Sequence, residues 1–242
     1  MLLALDIGNT RIKAAVFEHN TLVEVVSFLE IDWQSAMISF LNKYPKCTDL
    51  MVASVGNISK EQLSAFENRL TVHFISRTDR FPFHNLYGTP NTLGIDRIVL
   101  ASGAVLQYPK QNRLVIDAGT CITYDFITDE DQYLGGAIAP GIRLRYEAMH
   151  QYTSKLPLLT KRIPQHFIGN TTEEAMHAGV VQGMLHEIDG FIDQYHQQYS
   201  KIIIILTGGD ANFLANQLKN TIFANSNFLL ESLNQTFQYN QK

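Results

Sequence analysis

Leu2-Leu3-Ala4-Leu5-Asp6-Ile7-Gly8-Asn9-Thr10 begins as a short apolar run and ends on a carboxylate, a glycine two residues on, and a threonine just beyond. The same order returns at Leu114-Val115-Ile116-Asp117-Ala118-Gly119-Thr120. A motif that opens each half of a chain of 242 residues signals a duplicated fold. A short apolar run closed by a turn reads as a buried strand. A glycine just past the strand end has no Cβ to keep the backbone away from a ligand, and phosphate suits such a turn.

Working outward from the first copy, residues 12–17 and 21–28 read as strands joined by a turn at His19-Asn20, which makes a β-meander. A helix over 32–43 capped by Asp32 and a buried strand over 50–55 follow. The capping-box spacing of Ser59-Lys60-Glu61-Gln62 opens a second helix, and a strand near 72–75 completes a βββαβα order. Residues 77–92 carry aromatics and prolines without a period and read as an ordered, functional loop before a helix near 94–108. The second half repeats the plan with strands near 114–116, 121–127 and 133–138. Its longest helix spans 172–198, followed by a buried strand at 202–206 and the turn Thr207-Gly208-Gly209. The expected fold is α/β, with two βββαβα lobes, residues 1–112 and 113–242, facing each other across a cleft.

With 45% hydrophobic and 17% charged residues, the chain has an ordinary soluble composition. Its net charge of -4 provides no basic field for nucleic acid or anionic membrane, which leaves small-molecule chemistry. Cys47 and Cys121 stand far apart, with no CxxC or zinc spacing, as expected in a reducing cytoplasm. The N-terminus shows no charged leader and cleavage site, and no apolar run approaches the roughly 20 residues that span a bilayer. A cytoplasmic protein, neither exported nor embedded, is expected.

Neither a Walker A loop nor GxGxxG occurs. The first turn leads into a strand instead of a helix, so hairpin amides and the side chains of Asn9, Thr10 and Lys13 would hold phosphate. Asp6 has the wrong charge to touch phosphate and would act through Mg²⁺ and its waters. Lys13 would offset charge on a transferring group. Asp96 falls in the first turn of a helix after the aromatic loop, either as a helix-start residue or as a carboxylate at the rim of the cleft. Arg97 reads either as a surface ion pair or as a planar fork for a carboxylate or phosphate. Taken alone, Tyr87 reads as a packing aromatic, Thr172 as an N-cap and Gly208-Gly209 as a strand-to-helix turn. The eight His are scattered and read as surface or partly buried, and Cys121 reads as a small buried strand residue.

DIGNTRIK at 6–13, LGIDR at 93–97, DAGT at 117–120, GGAIAPG at 135–141 and TGGD at 207–210 together resemble the actin, Hsp70 and sugar-kinase superfold of duplicated ribonuclease-H-like lobes. Within it the chain is most similar to the type III pantothenate kinases. The resemblance implies ATP-dependent phosphorylation of pantothenate to 4′-phosphopantothenate, the first step of coenzyme A biosynthesis. It implies that Asp96 is the base, and that Gly94, Ile95, Asp96, Arg97, Tyr87 and Thr172 form the pantothenate pocket. ATP would be taken by Asp6, Ile7, Gly8, Asn9, Thr10, Arg11, Ile12, Lys13 and Thr120, with Mg²⁺ through Asp6. Asp117 would hold a monovalent cation, potassium or ammonium, and the protein would be a homodimer. Two turns depart from the family pattern: Ser54-Val55-Gly56-Asn57 where relatives carry SVVP, and Leu229-Leu230-Glu231-Ser232-Leu233 where they carry LxGL. Two other readings stand beside this one. One is a different small-molecule kinase of the superfold. The other is a nucleotide-binding regulatory relative, a transcription accessory protein, which could dispense with Asp96.

Overall fold

β1 (Leu2–Ile7) is apolar on both faces and buried over Leu2, Leu3, Ala4, Leu5 and Ile7, so it must sit inside a sheet covered on both sides. The computed structural model of the chain, which describes residues 1–8, 12–28, 33–54 and 60–241, places it there. β2 (Ile12–Glu18) and β3 (Thr21–Phe28) form the meander, with His19 at φ 54° in the turn. α1 (Trp33–Asn42) leads to β4 (Asp49–Ser54), and α2 (Lys60–Leu63) to β5 (Thr71–Phe74). The sheet order is β3-β2-β1-β4-β5, with β1 antiparallel to β2 and parallel to β4. The predicted caps Asp32 and Ser59 lie outside the described residues. α2 gives way at once to a 3₁₀ turn, Ser64–Phe66, because Leu63, Phe66 and Leu70 all turn into the core just before β5.

One face of this sheet packs Leu3, Leu5, Ile7 and Ile12 against Met37, Phe40 and Leu41 of α1. On the other face Leu2, Ala4, Ala15 and Phe17 meet Val99. Val99 belongs to α3 (Ile95–Gln107), whose residues from Arg97 through Val105 are buried, as a helix inside a core must be. Before α3, the loop carries β6 (His84–Asn85) and a 3₁₀ turn, Pro90–Thr92.

The second half opens with β7 (Asn112–Ala118), β8 (Cys121–Ile127) and β9 (Gln132–Pro140). α4 (Ile142–Gln151) follows, then α5 (Thr172–His177), a π-helical turn Ala178–Gln182 and α6 (Gly183–Gln198), one helical stretch over the predicted span. β10 (Ile202–Thr207), α7 (Ala211–Ala215) and β11 (Phe223–Ala224) complete a six-stranded sheet of order β11-β10-β7-β8-β9-β6, in which β6 from the earlier loop lies parallel to β9 at one edge. Apart from that added edge strand, both sheets run third, second, first, fourth, fifth when each half's strands are counted, so the duplication seen in the two DxG turns extends to the strand order.

Two compact units result: Met1–Lys110 with Glu130–Leu134 and Asn227–Lys242, and Gln111–Asp129 with Gly135–Ser226. The tail, expected in the second lobe, instead belongs to unit 1 as α8 (Phe228–Asn240). Its Leu230 and Leu233 join the core beside Leu2, Ala4 and Val99. The LLESL departure therefore lands on a helix crossing: a Cβ on Gly103 of α3 would meet the Ser232 hydroxyl oxygen at 1.9 Å. No helix among the described residues is long and apolar enough to cross a membrane.

Candidate active site

In unit 1, Asp6 and Lys13 face each other across the β1–β2 pairing, with Ile7 opposite Ile12. Ile7 and Ile12 are buried, so they can offer a ligand only main chain. Gly8 follows at the partly exposed strand end, while Asn9, Thr10 and Arg11 lie outside the described residues. Burial pushes the Asp6 carboxyl up to about 7; positive Lys13 opposes the rise and negative Asp96 adds to it. The chain thus brings Asp6, Lys13 and Asp96 into one electrostatic neighbourhood.

Gly94 caps α3 with φ −60° and ψ 140°. In the first turn, Asp96 Oδ1 accepts from the Arg97 main-chain N–H at 2.9 Å and sits where a Cβ on Gly94 would come within 2.4 Å. Gly94 is what allows the carboxylate to fold back over the helix start, where the positive end of the dipole favours it. Ile95 packs at the edge of the core. The Arg97 guanidinium is buried and lies 5.5 Å from the Tyr87 ring centroid. Tyr87 stands 6.1 Å from Tyr133, Tyr133 5.7 Å from Phe83, and Phe83 5.8 Å from Phe81. Main-chain bonds from His84 to Asp131 and from Leu86 to Tyr133 pin the same segment. The loop is ordered, as its aromatics suggest, and Tyr87 packs while also covering Arg97.

In unit 2, Asp117 is partly exposed near the end of β7. The Gly119 N–H donates to the Cys121 carbonyl at 2.9 Å, Gly141 to Thr120 at 3.0 Å and Asp210 to Ala118 at 2.9 Å. These bonds draw three segments around Asp117. Gly208, at φ +95°, passes so close that a Cβ would lie 2.4 Å from both Asp117 Oδ1 and the Ala118 carbonyl. At Gly141 a Cβ would lie 2.1 Å from the Gly119 carbonyl. The result is a turn rich in oxygens, a carboxylate with nearby main-chain carbonyls, and Thr120 exposed on it.

Three expectations need correction here. Cys121 is exposed, because the first residue of β8 stands at the turn and not inside the sheet. His177 is buried, held at 2.7 Å from the Tyr146 hydroxyl on the inner side of α5. The N-cap of α5 is Thr171, whose hydroxyl accepts from the Glu174 N–H at 3.2 Å, so Thr172 is an exposed first helical residue with its side chain not used in capping.

The model of a family described as type III pantothenate kinase matches residues 2–194. The chain belongs to the type III pantothenate kinase family. It is 62% identical over 239 residues, 99% of this chain and 98% of the relative, to a type III pantothenate kinase of Flavobacterium johnsoniae. To one of Christiangramia forsetii it is 42% identical, over 100% of this chain and 99% of the relative. Among solved structures, a putative Baf family transcriptional activator from Campylobacter jejuni superposes with a TM-score of 0.64 at 24% identity, over 99% of this chain and 98% of that one. A putative N-acetylmannosamine kinase from Listeria monocytogenes gives 0.56 at 15% identity, over 100% and 99%. At such identities the structures show the fold, that of the actin-like sugar kinases, and a type III pantothenate kinase is a transferase on that fold.

The family motif GGAIAPG carries a geometry that its letters did not disclose. Gly136 passes β8 so closely that a Cβ would overlap the Tyr124 carbonyl at 1.6 Å, and Gly141 closes on Thr120. Arg145, just beyond the motif, bonds both Pro140 and Glu187 of α6. Apart from the arginine following the motif, nothing in the sequence marks that pairing.

Proposed function

We propose that the protein transfers the γ-phosphoryl group of ATP to the primary hydroxyl of pantothenate, giving 4′-phosphopantothenate for coenzyme A biosynthesis. Family membership supports the reaction. The observation that carries the choice of base is the Asp96 carboxylate at the start of α3, within the field of Asp6 and Lys13. Asp96 accepts the hydroxyl proton as the oxygen bonds to phosphorus. In a loose phosphoryl-transfer transition state that proton leaves late, so placement of the carboxylate counts for more than its basicity.

Lys13 offsets charge on the transferring group, while Asn9, Thr10, Arg11 and the main chain of Ile7, Gly8 and Ile12 surround the phosphates. A carboxyl raised by burial gains its charge back beside a cation, which suits Asp6 to a hydrated Mg²⁺ that would neutralise phosphate oxygens. Arg97, steadied by Tyr87, presents its fork to the pantothenate carboxylate. Gly94 and Ile95 line that pocket, and the Thr172 hydroxyl is a further pantothenate ligand. Thr120 takes an ATP phosphate, and Asp117 with its neighbouring carbonyls suits potassium or ammonium. We place the enzyme in the cytoplasm as a homodimer; exposed Ile138, Leu158, Phe167 and Ile168 provide apolar surface of the kind that subunits cover.

A coupled assay of ADP formation with Mg²⁺ and potassium tests the reading. Turnover is expected with pantothenate and not with glucose or buffer. Turnover with the sugar alone would overturn it, and a monomeric mass in sedimentation of the active enzyme would overturn the homodimer.

A further inference from the structure

Pro140 ends β9, and its carbonyl takes a side-chain donor from the helix that follows. Arg145 Nε supplies one at 2.8 Å, and Arg145 Nη2 donates to Glu187 Oε2 at 2.7 Å. The other Glu187 oxygen accepts from the Tyr124 hydroxyl at 3.0 Å, a group fully buried on β8. Burial, with the Glu187 charge behind it, pushes the Tyr124 hydroxyl up, so it stays a neutral donor. Arg145 and Glu187 are 20% and 25% exposed, which leaves their charge-assisted bond only weakly screened. The next residue, Gly141, donates to the Thr120 carbonyl at 3.0 Å and touches it too closely for any Cβ. One chain of contacts therefore runs from Tyr124 and Glu187 through Arg145 to Pro140, Gly141 and Thr120. It joins β8, α6 and α4 to the second glycine turn.

We infer that Arg145 and Glu187 are positioning residues for the nucleotide: they hold the Pro140–Gly141 peptide against Thr120 and keep the second glycine turn in the shape ATP requires. The inference rests on the reading that Thr120 takes an ATP phosphate. The Arg145 fork is occupied by Pro140 and Glu187, so its effect on ATP is transmitted through the main chain.

Steady-state kinetics on the intact protein test it. Arg145→Lys keeps the charge but loses the planar fork that spans both acceptors. It is expected to raise the KM for ATP about tenfold while the KM for pantothenate stays within about twofold, as for a slightly misplaced binding group. Glu187→Gln preserves shape and should raise the KM for ATP by about threefold. Arg143→Gln, which breaks only an exposed pair with Glu147 on the same helix, should change nothing. Thr120→Ala is the benchmark. A raised ATP KM in Thr120→Ala with none in Arg145→Lys overturns the positioning role alone, whereas no rise in either takes down the reading of Thr120 as well. Equal rises in both KM values, or an Arg143→Gln effect as large as that of Arg145→Lys, would overturn the inference in favour of a general structural role.

Discussion

Replacing Asp6 with asparagine is expected to make the ligand-free protein more stable at pH 8 while abolishing turnover. The Asp6 carboxyl is pushed from 3.8 to about 7 by burial, with Asp96 adding to the rise against Lys13. A carboxyl raised in the folded state holds its proton more tightly there than in the unfolded chain. Stability is therefore fully present in acid, declines as pH climbs from about 4 to 7, and is level above that. Moving a carboxyl from 3.8 to about 7 corresponds to roughly 4 kcal/mol, and partial exposure with solvent relaxation reduces this to about 1–2 kcal/mol. Asparagine carries no charge to desolvate, so Asp6→Asn should melt about 3–6 °C above the natural protein at pH 8. The gap should narrow steadily below pH 7 and close only near pH 4. The assay is thermal melting from pH 4 to 8.5 without Mg²⁺ or nucleotide, alongside kcat. A variant no more stable at pH 8, or a gap that does not change with pH, would refute the reasoning. Stability gained with activity lost is the signature of a charge held for function against its own desolvation.

Asp96→Asn is expected to lower kcat by about 10² or more with ATP affinity little changed, the scale of lost general-base catalysis; near-normal turnover would remove Asp96 from the role. The same variant should also shrink the acid-side stability of the natural protein, because Asp96 helps raise Asp6. Gly94→Ala puts a Cβ 2.4 Å from Asp96 Oδ1 on a backbone whose φ of −60° suits alanine. It should therefore displace the carboxylate and cost about tenfold in kcat with little change in melting temperature; a melting loss with full kcat would contradict this. Gly103→Ala drives a Cβ to 1.9 Å from the Ser232 hydroxyl and 3.0 Å from its Cα, which should cost about 1–3 kcal/mol despite alanine's better helix propensity. Adding Ser232→Gly should recover most of that loss, and additive denaturation midpoints in the double variant would count against the helix crossing.

Local order along the chain was enough to read most elements. The apolar runs of β1 and β7, the DxG turns at their ends and the helical stretch over 172–198 all follow from neighbours in sequence, where strand and helix periodicity act. Motif letters likewise named Asp6, Lys13, Asp96, Arg97, Asp117 and Thr120 as candidates. Short range also set the limits of that reading. Asp96 and Asp6 are 90 positions apart in sequence, so the rise of the Asp6 carboxyl required the fold. Thr171 and Thr172 are chemically equivalent as caps, and only the backbone geometry chose between them. Cys121 and His177 were misjudged because burial depends on what packs from distant elements.

The tail makes the same point most plainly. Its apolar spacing marks α8 as amphipathic, but which core would receive Leu230 and Leu233 depended on Gly103 leaving room for Ser232 on a helix far upstream. Nothing nearby in sequence encodes the Arg145–Glu187 bond either, since it exists only where α4 and α6 meet over β8. Residue order specified the strands, the turns and the chemical groups, because those arise from local backbone preference and side-chain identity. Packing decided which of those groups met, which were desolvated and which glycines could not carry a side chain, because these depend on atoms brought together from across the chain.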